Sequence, residues 1–188
     1  MSGNQDRGGQ ASRGRRRRER EEPEFDERVI DIRRTAKVLK GGRRFGFRVV
    51  IVVGDNKGRV GVAVGKANEV PEAIRKGIER AKRRMIRVPL VEHTIPHEVR
   101  LRYASAKLML WPAAPGTGVI AGPGARDVLE AAGVRDILTK RHGSNNVLNV
   151  TVGTYQALRQ LKDPAEEARR RGKRLEDVMP FWSRRHAS

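Results

Sequence analysis

Two alternating apolar runs joined by a short turn constrain this chain more than any other feature. Over residues 43–54, Phe45, Phe47, Val49, Ile51 and Val53 fall on one side at period two, with Arg44, Gly46 and Arg48 opposite. That spacing predicts a strand with a greasy face and a basic start, because successive strand side chains point to opposite faces. Gly54-Asp55-Asn56-Lys57-Gly58 has turn chemistry. Residues 59–66 alternate again, placing Val60, Val62 and Val64 inward, while Gly61, Ala63 and Gly65 leave the other face nearly bare. The two runs predict an antiparallel hairpin. Residues 29–39 alternate more weakly and supply another strand.

A helix follows. Pro71 suits a first helical position and Glu72 the first turn. Ile74, Ile78, Ala81 and Met85 recur on one helical face, which is expected to pack on the sheet. Lys76, Arg80, Arg83 and Arg87 share that spacing on another face, with Arg75, Lys82 and Arg84 beside them. A charge run is ordinarily a solvated face. Here only Glu72 and Glu79 dilute seven basic residues, and like charges at i, i+4 repel. Alternating signs would serve stability better, so the stripe points to contact with a polyanion.

The charge distribution agrees. The 188 residues carry a net charge of +19. Residues 25–88 hold 18 basic and 7 acidic groups, net +11, whereas 1–24, 89–161 and 162–188 contribute +2, +3 and +3. More than half of the surplus therefore lies in about a third of the chain, favouring nucleic acid over a membrane as partner. No stretch approaches the roughly 18 apolar residues that a membrane span needs. With no cysteine, disulfides, thiolate metal sites and thiol catalysis are excluded. Met1 is followed by polar residues, so no secretory signal is expected, and the acidic residues among the first 24 argue against a transit peptide.

Strands followed by one basic helix on a sheet approach the double-stranded-RNA-binding plan, which reads A-form shape rather than sequence. Aromatic residues are few, and Phe45 and Phe47, expected to share the inward face, leave no base-stacking platform. The sharpest local feature is Lys37-Val38-Leu39-Lys40-Gly41-Gly42-Arg43-Arg44. Gly41 and Gly42 permit a tight turn with close backbone approach, and four cations flank them. The plainer alternative is an ordinary basic hairpin turn. Lys66 and Arg75 complete the candidate RNA-binding set.

The second half, residues 89–161, reads as a small α/β domain. Strands are expected near 98–103 and at 107–111, and helices at 125–132 and 146–161. Residues 134–138 fit a strand or a short helix. Between them, residues 115–124 form a Gly-rich loop. Gly116-x-Gly118-x-x-Ala121, with Asp136 twenty residues after Gly116, matches a relaxed dinucleotide fingerprint. Pro112 and Pro115 interrupt the strand-to-helix turn that the fingerprint requires, and no phosphate-binding Gly-Lys-Ser/Thr is present. His93 and His97 have metal-like spacing, but Pro96 breaks any helix that could align them. No serine or carboxylate pair has a catalytic context, so neither enzyme nor cofactor is expected.

Residues 1–24 lack apolar anchors and are expected to be disordered alone. The Arg15–Arg18 run suits a nuclear signal, a nucleic-acid arm or a solvated tail. Residues 162–188 read as a charged tail with one short helix at 164–171, ending in Phe181-Trp182 as an anchor or a frayed end.

Several ordered motifs then coincide: Lys37 to Arg43, Val53-Gly54-Asp55, Gly58-Arg59-Val60-Gly61, Gly65-Lys66-Ala67, Glu69-Val70-Pro71 and Ala73-Ile74, then Pro115-Gly116-Thr117-Gly118, Ile120-Ala121-Gly122, Val128-Leu129-Glu130, Ala132-Gly133-Val134 and Gly143-Ser144. Over about residues 25–160 the chain resembles the bacterial S-five family of small-subunit ribosomal proteins, and Arg171-Gly172-Lys173 also fits. The long Arg-rich start and the Phe181-Trp182 end depart from the pattern. The resemblance implies an α+β protein: a double-stranded-RNA-binding-like domain at 25–88, then a small α/β domain of the S-five second-domain type. It implies a cytoplasmic place in the small subunit, on 16S rRNA where body meets head, beside proteins S-four and S-eight and near the mRNA entry path, with a part in translational accuracy. The Lys37 to Arg44 loop would then touch rRNA towards the head. Gly116, Thr117, Gly118, Gly122 and Arg126 would lie near S-four, and the rest of the second domain would face S-eight. A free-standing double-stranded-RNA-binding regulator and a nucleotide-dependent enzyme built on the Gly-rich loop are the alternatives from other classes.

Overall fold

The computed structural model describes residues 25–180. The expectations for residues 1–24 and for Phe181-Trp182 lie outside them. The chain opens with three antiparallel strands, β1 (Asp26–Leu39), β2 (Gly42–Gly54) and β3 (Arg59–Ala67). Helix α1 (Val70–Arg83) carries Pro71 in its first turn, and the short β4 (Ile86–Arg87) closes the sheet in the order β1-β2-β3-β4. A second sheet, ordered β5-β6-β8-β7, comprises β5 (Val99–Tyr103), β6 (Ala106–Pro112), β7 (Val119–Ile120) and β8 (Ile137–Gly143). Helices α2 (Ala125–Ala131) and α3 (Val147–Arg159) accompany it, and α4 (Pro164–Arg171) and α5 (Leu175–Val178) follow. Asn146 caps α3 by accepting the Leu148 N–H, and Asp163 does the same for α4 from Ala165.

The first sheet is covered on both faces, which the alternation alone does not convey. The register pairs Ile51 with Ala63 and Val52 with Val62. Val60, Val62 and Val64 therefore share a face with Val50 and Val52, not with Val49, Ile51 and Val53. Val49, Ile51, Val53 and Ala63 pack against Ala73 and Ala81 of α1. Val52, Val60 and Val62 enter a core shared with Val128, Leu129, Ile137 and Leu158 of the second half. The bare Gly61-Ala63-Gly65 face is thus the seat of α1. A Cβ at Gly65 would strike the Ala73 carbonyl, and one at Gly61 the Ala81 carbonyl. Close approach also selects the face of α1: Ala73, Gly77 and Ala81 are buried, while Ile74 and Ile78 flank them half-buried.

Three further expectations change. Phe45 is 46% exposed, because β3 ends opposite Phe47 and leaves the distal β1–β2 arm without a third strand; Arg34 instead stacks over its ring at 3.7 Å. Arg87 is not on the helix: α1 ends at Arg83, and Arg87 pairs across from Arg59 in β4. Residues 134–136 are irregular and follow the turn at Ala132-Gly133, with the strand beginning at Ile137 and running on to Gly143. The halves are tied by an Arg28–Glu130 ion pair at 2.6 Å and by backbone bonds from Asn56 and Gly58 to the Ala131 and Ala132 carbonyls.

Candidate nucleic-acid interface

The sheet face that carries Val50 and Val52 continues outward, beyond the second half, as rows of cations. Arg48 lies opposite Arg33 on β1 and Lys66 on β3, and on the same face, beyond the Thr35–Gly46 pair, Lys37 lies opposite Arg44. Side chains directly opposite in antiparallel strands sit about 5 Å apart at Cβ, where like charges destabilise the sheet. The carboxylate on this stretch is Asp31, whose Oδ2 accepts from Arg33 Nε at 2.8 Å. Arg48 is half-buried, and its Nε has no hydrogen-bond partner among the described residues. That N–H is left for an acceptor from outside the described residues.

The arm ends in a two-residue loop, with Leu39 opposite Gly42. Gly41 has φ +94° and Gly42 φ +142°, where L side chains are strained. Nothing lies within 4 Å of a Cβ built at either one. The glycines are therefore required by backbone conformation rather than by crowding, and the outer face of the turn is open. Lys40, Gly41, Gly42, Arg43 and Arg44 line a shallow concavity of about 200 Å³ there.

Helix α1 holds a second cationic surface on the opposite side of the sheet. Lys76 donates to Glu72 at 2.5 Å and Lys82 to Glu27 at 2.8 Å. The Lys76 ammonium hydrogen-bonds the Glu72 carboxyl and holds it below the usual carboxylate range. Arg80 Nη1 donates to the Val64 carbonyl at 3.0 Å. Arg75 and Arg83 make no side-chain bond or ion pair among the described residues. The sheet separates Lys37, Arg44 and Lys66 from Arg75, Lys76, Arg80 and Arg83, so the sequence-predicted cations form two surfaces. Arg33 and Arg48 were not among them. Period two showed Arg48 on the non-greasy face, but only the strand register reveals that three cations stand abreast.

The Gly-rich loop is built as a tether. The Gly118 N–H donates to Asp136 Oδ1 at 2.9 Å, and the Gly118 carbonyl accepts from Ile137 at 3.1 Å. These bonds align β7 parallel to β8. Asp136 is buried and committed to the loop, which removes the ribose-binding role the fingerprint would give it. Gly116, Thr117, Gly122 and Arg126 are exposed around this tether. Beside them Ile120 and Leu138, opposite each other, are 52% and 41% exposed. His97 Nε2 accepts from the Lys162 N–H at 3.0 Å, so His97 joins segments rather than pairing with His93. No group of three His, Asp or Glu residues able to hold a metal occurs among the described residues.

Residues 25–89 match the family described as Ribosomal protein S5, N-terminal domain, and residues 101–171 match Ribosomal protein S5, C-terminal domain. The chain is also 55% identical over 172 residues to the Small ribosomal subunit protein uS5 of Chloroflexus aurantiacus, covering 90% of this chain and 97% of the relative. The chain belongs to the ribosomal protein S5 family. Its first sheet and α1 form the double-stranded-RNA-binding-like part of the S5 fold, and the second sheet with α2 and α3 the C-terminal part. In this S5 chain the cation rows, the glycine turn and the whole of α1 fall within the N-terminal match, and the Gly118 tether within the C-terminal one.

Proposed function

We propose that this chain is a structural constituent of the small ribosomal subunit that binds 16S rRNA through residues 25–88, with residues 89–161 serving as a platform for neighbouring proteins. The observation that carries this reading is the Arg33, Arg48, Lys66 row. It costs the free protein stability and neutralises phosphates in a complex. Lys37, Lys40, Arg43 and Arg44 surround the Gly41-Gly42 turn and extend that surface to the tip of the arm. Backbone N–H groups there can approach a phosphate where a side chain would intrude. Arg75, Lys76, Arg80 and Arg83 supply a second contact on α1, and Arg87 a further one from β4.

The arm would reach rRNA towards the head of the subunit and help to hold head against body, which ties the chain to translational accuracy and to the mRNA entry path. Gly116, Thr117, Gly118, Gly122 and Arg126, around the exposed Ile120–Leu138 pair, would meet S-four, and the remaining second-half surface S-eight. Non-enzymatic action fits a set of cations arranged for charge neutralisation and shape readout. Sedimentation of cell extract tests the assignment: the chain should travel with small subunits and be stripped by high salt. Sedimentation at the top of the gradient in low salt would overturn it.

A further inference from the structure

A cleft of about 360 Å³ opens where α1, β3, β5 and α3 meet, on the line between the two halves. That volume lies within the roughly 300–1,000 Å³ of small-ligand sites. Its walls differ in chemistry. The α1 side supplies Arg80 and Arg84, and the facing side supplies Tyr103, Asn149, Tyr155 and Gln156. No Asp or Glu lines it. Helix α3 has no charged residue before Arg159, so the cleft receives its charge from one wall alone. The architecture fixes that wall. Arg80 Nη1 donates to the Val64 carbonyl at 3.0 Å, holding the guanidinium at the outer edge of β3 with further donors to spare. The Tyr155 hydroxyl donates to the Arg84 carbonyl at 2.7 Å, pinning α3 to the end of α1. Beyond Val60, β3 has no strand beside it on this edge, so the cleft is open to solvent along it.

We infer that this cleft seats one unpaired nucleotide of the bound RNA, with its phosphate on Arg80 and Arg84 and its base against Tyr103, Asn149 and Gln156. Guanidinium groups match phosphate oxygens through several parallel N–H bonds. Amide side chains carry both donors and an acceptor and so can read a base edge, while a tyrosine ring offers a stacking face. A purely duplex-reading surface needs neither the amides nor the ring. An acidic peptide would be served by cations on both walls, and this cleft has them on one. The inference rests on the RNA-binding reading and assigns it a component that recognises a single-stranded feature.

The test compares the full chain bound to two RNA hairpins, identical except that one carries a single bulged nucleotide, taken as each of the four bases in turn. The bulged hairpin should bind about tenfold tighter or better for at least one base, the scale of one base–aromatic stack. A photoreactive base at the bulge should cross-link to peptides containing Tyr103 or Asn149. The Asn149→Ala/Gln156→Ala double variant should lose the preference while keeping its affinity for the plain hairpin. Equal affinity of the unaltered chain for both hairpins would overturn the inference and leave the RNA-binding reading standing. Binding to neither would overturn both. Saturable binding of an oligoglutamate peptide that protects Tyr103, without any bulge preference, would assign the cleft to a protein partner and overturn it as well.

Discussion

Arg48 lies directly across the β1–β2 register from Arg33, two cations on the same face of adjacent strands. Lys66 on β3 completes the row. Relieving it should therefore stabilise the free protein. Like charges directly opposite cost on the order of 0.2–1 kcal/mol, and about 1 kcal/mol moves Tm by roughly 2–4 °C in a chain of this size. Arg48→Met should raise Tm by up to about 4 °C while weakening binding to a 16S rRNA fragment. The slope of log affinity against log salt should become shallower by roughly 0.7–0.9 for one lost phosphate contact. Thermal melts and salt titrations of the same preparation check both halves of the expectation.

The Gly41-Gly42 turn separates fold from contact in a different way. Because a Cβ at either glycine meets nothing, Gly41→Ala should cost only backbone strain, about 1–2 kcal/mol, and leave RNA contact largely intact. Gly42→Asp adds strain and a negative charge. Near a surface, like charges about 4 Å apart repel by around 4 kcal/mol before screening. The variant should remain folded by circular dichroism yet enter reconstituted small subunits poorly, or yield subunits with altered misreading or initiation.

On α1 the cations should not be equivalent. Lys76 is already engaged by Glu72, and Arg80 holds the β3 edge through Val64. Arg83→Ala should flatten the salt slope with stability unchanged within about 0.5 kcal/mol. Arg80→Ala should flatten it and also lower Tm, because a charge-assisted bond contributes about 1.5–3 kcal/mol. Measuring slope and Tm for the two variants side by side distinguishes a phosphate ligand from a structural cation.

Asp55 gives the turn between β2 and β3 a pH signature. Burial pushes its carboxyl up, but the Arg59 side chain and the Arg59 and Lys57 N–H groups outweigh that and hold it below the usual range. A carboxyl lowered on folding contributes stability that is fully present above its unfolded value of about 3.9. That contribution is lost as pH falls through the folded value. Asp55→Asn should therefore lower Tm at pH 7, and the gap from the unaltered chain should shrink below about pH 4. Melts between pH 2 and pH 7 follow the gap directly.

Gly65 faces the Ala73 carbonyl of α1 so closely that a methyl group has no room. Gly65→Ala should destabilise by about 1–3 kcal/mol or more, the usual range for overpacking, with α1 displaced from the sheet. Denaturant unfolding and the amide shifts of α1 check it.

Much of this was legible before the structure. The alternation in residues 43–54 and 59–66 placed β2 and β3, Pro71 marked the start of α1, and the helix expected at 125–132 is α2. What escaped was anything set by pairing between distant residues. Period two cannot say which apolar face of β3 aligns with which face of β2, so it places Val60, Val62 and Val64 inward without saying what covers them. The Val60, Val62 and Val64 side is the junction with the second half, and the glycine-rich side receives α1. Arg87 kept the helical spacing past the point where the chain turns into β4. Phe45 kept the strand spacing past the point where β3 ends. The loop cations were visible as a local cluster, whereas the Arg33–Arg48–Lys66 row joins residues far apart in sequence and emerges only with the register.

Reconstitution of small subunits with the Arg33→Gln/Arg48→Gln/Lys66→Gln chain tests the central claim most directly. The substitutions remove the row's charge from exposed or half-buried positions and leave the core residues untouched. Folded triple-variant protein should fail to enter the particle at physiological salt while the unaltered chain enters fully. Stoichiometric incorporation of the triple variant, with the salt resistance of the unaltered chain, would contradict the account.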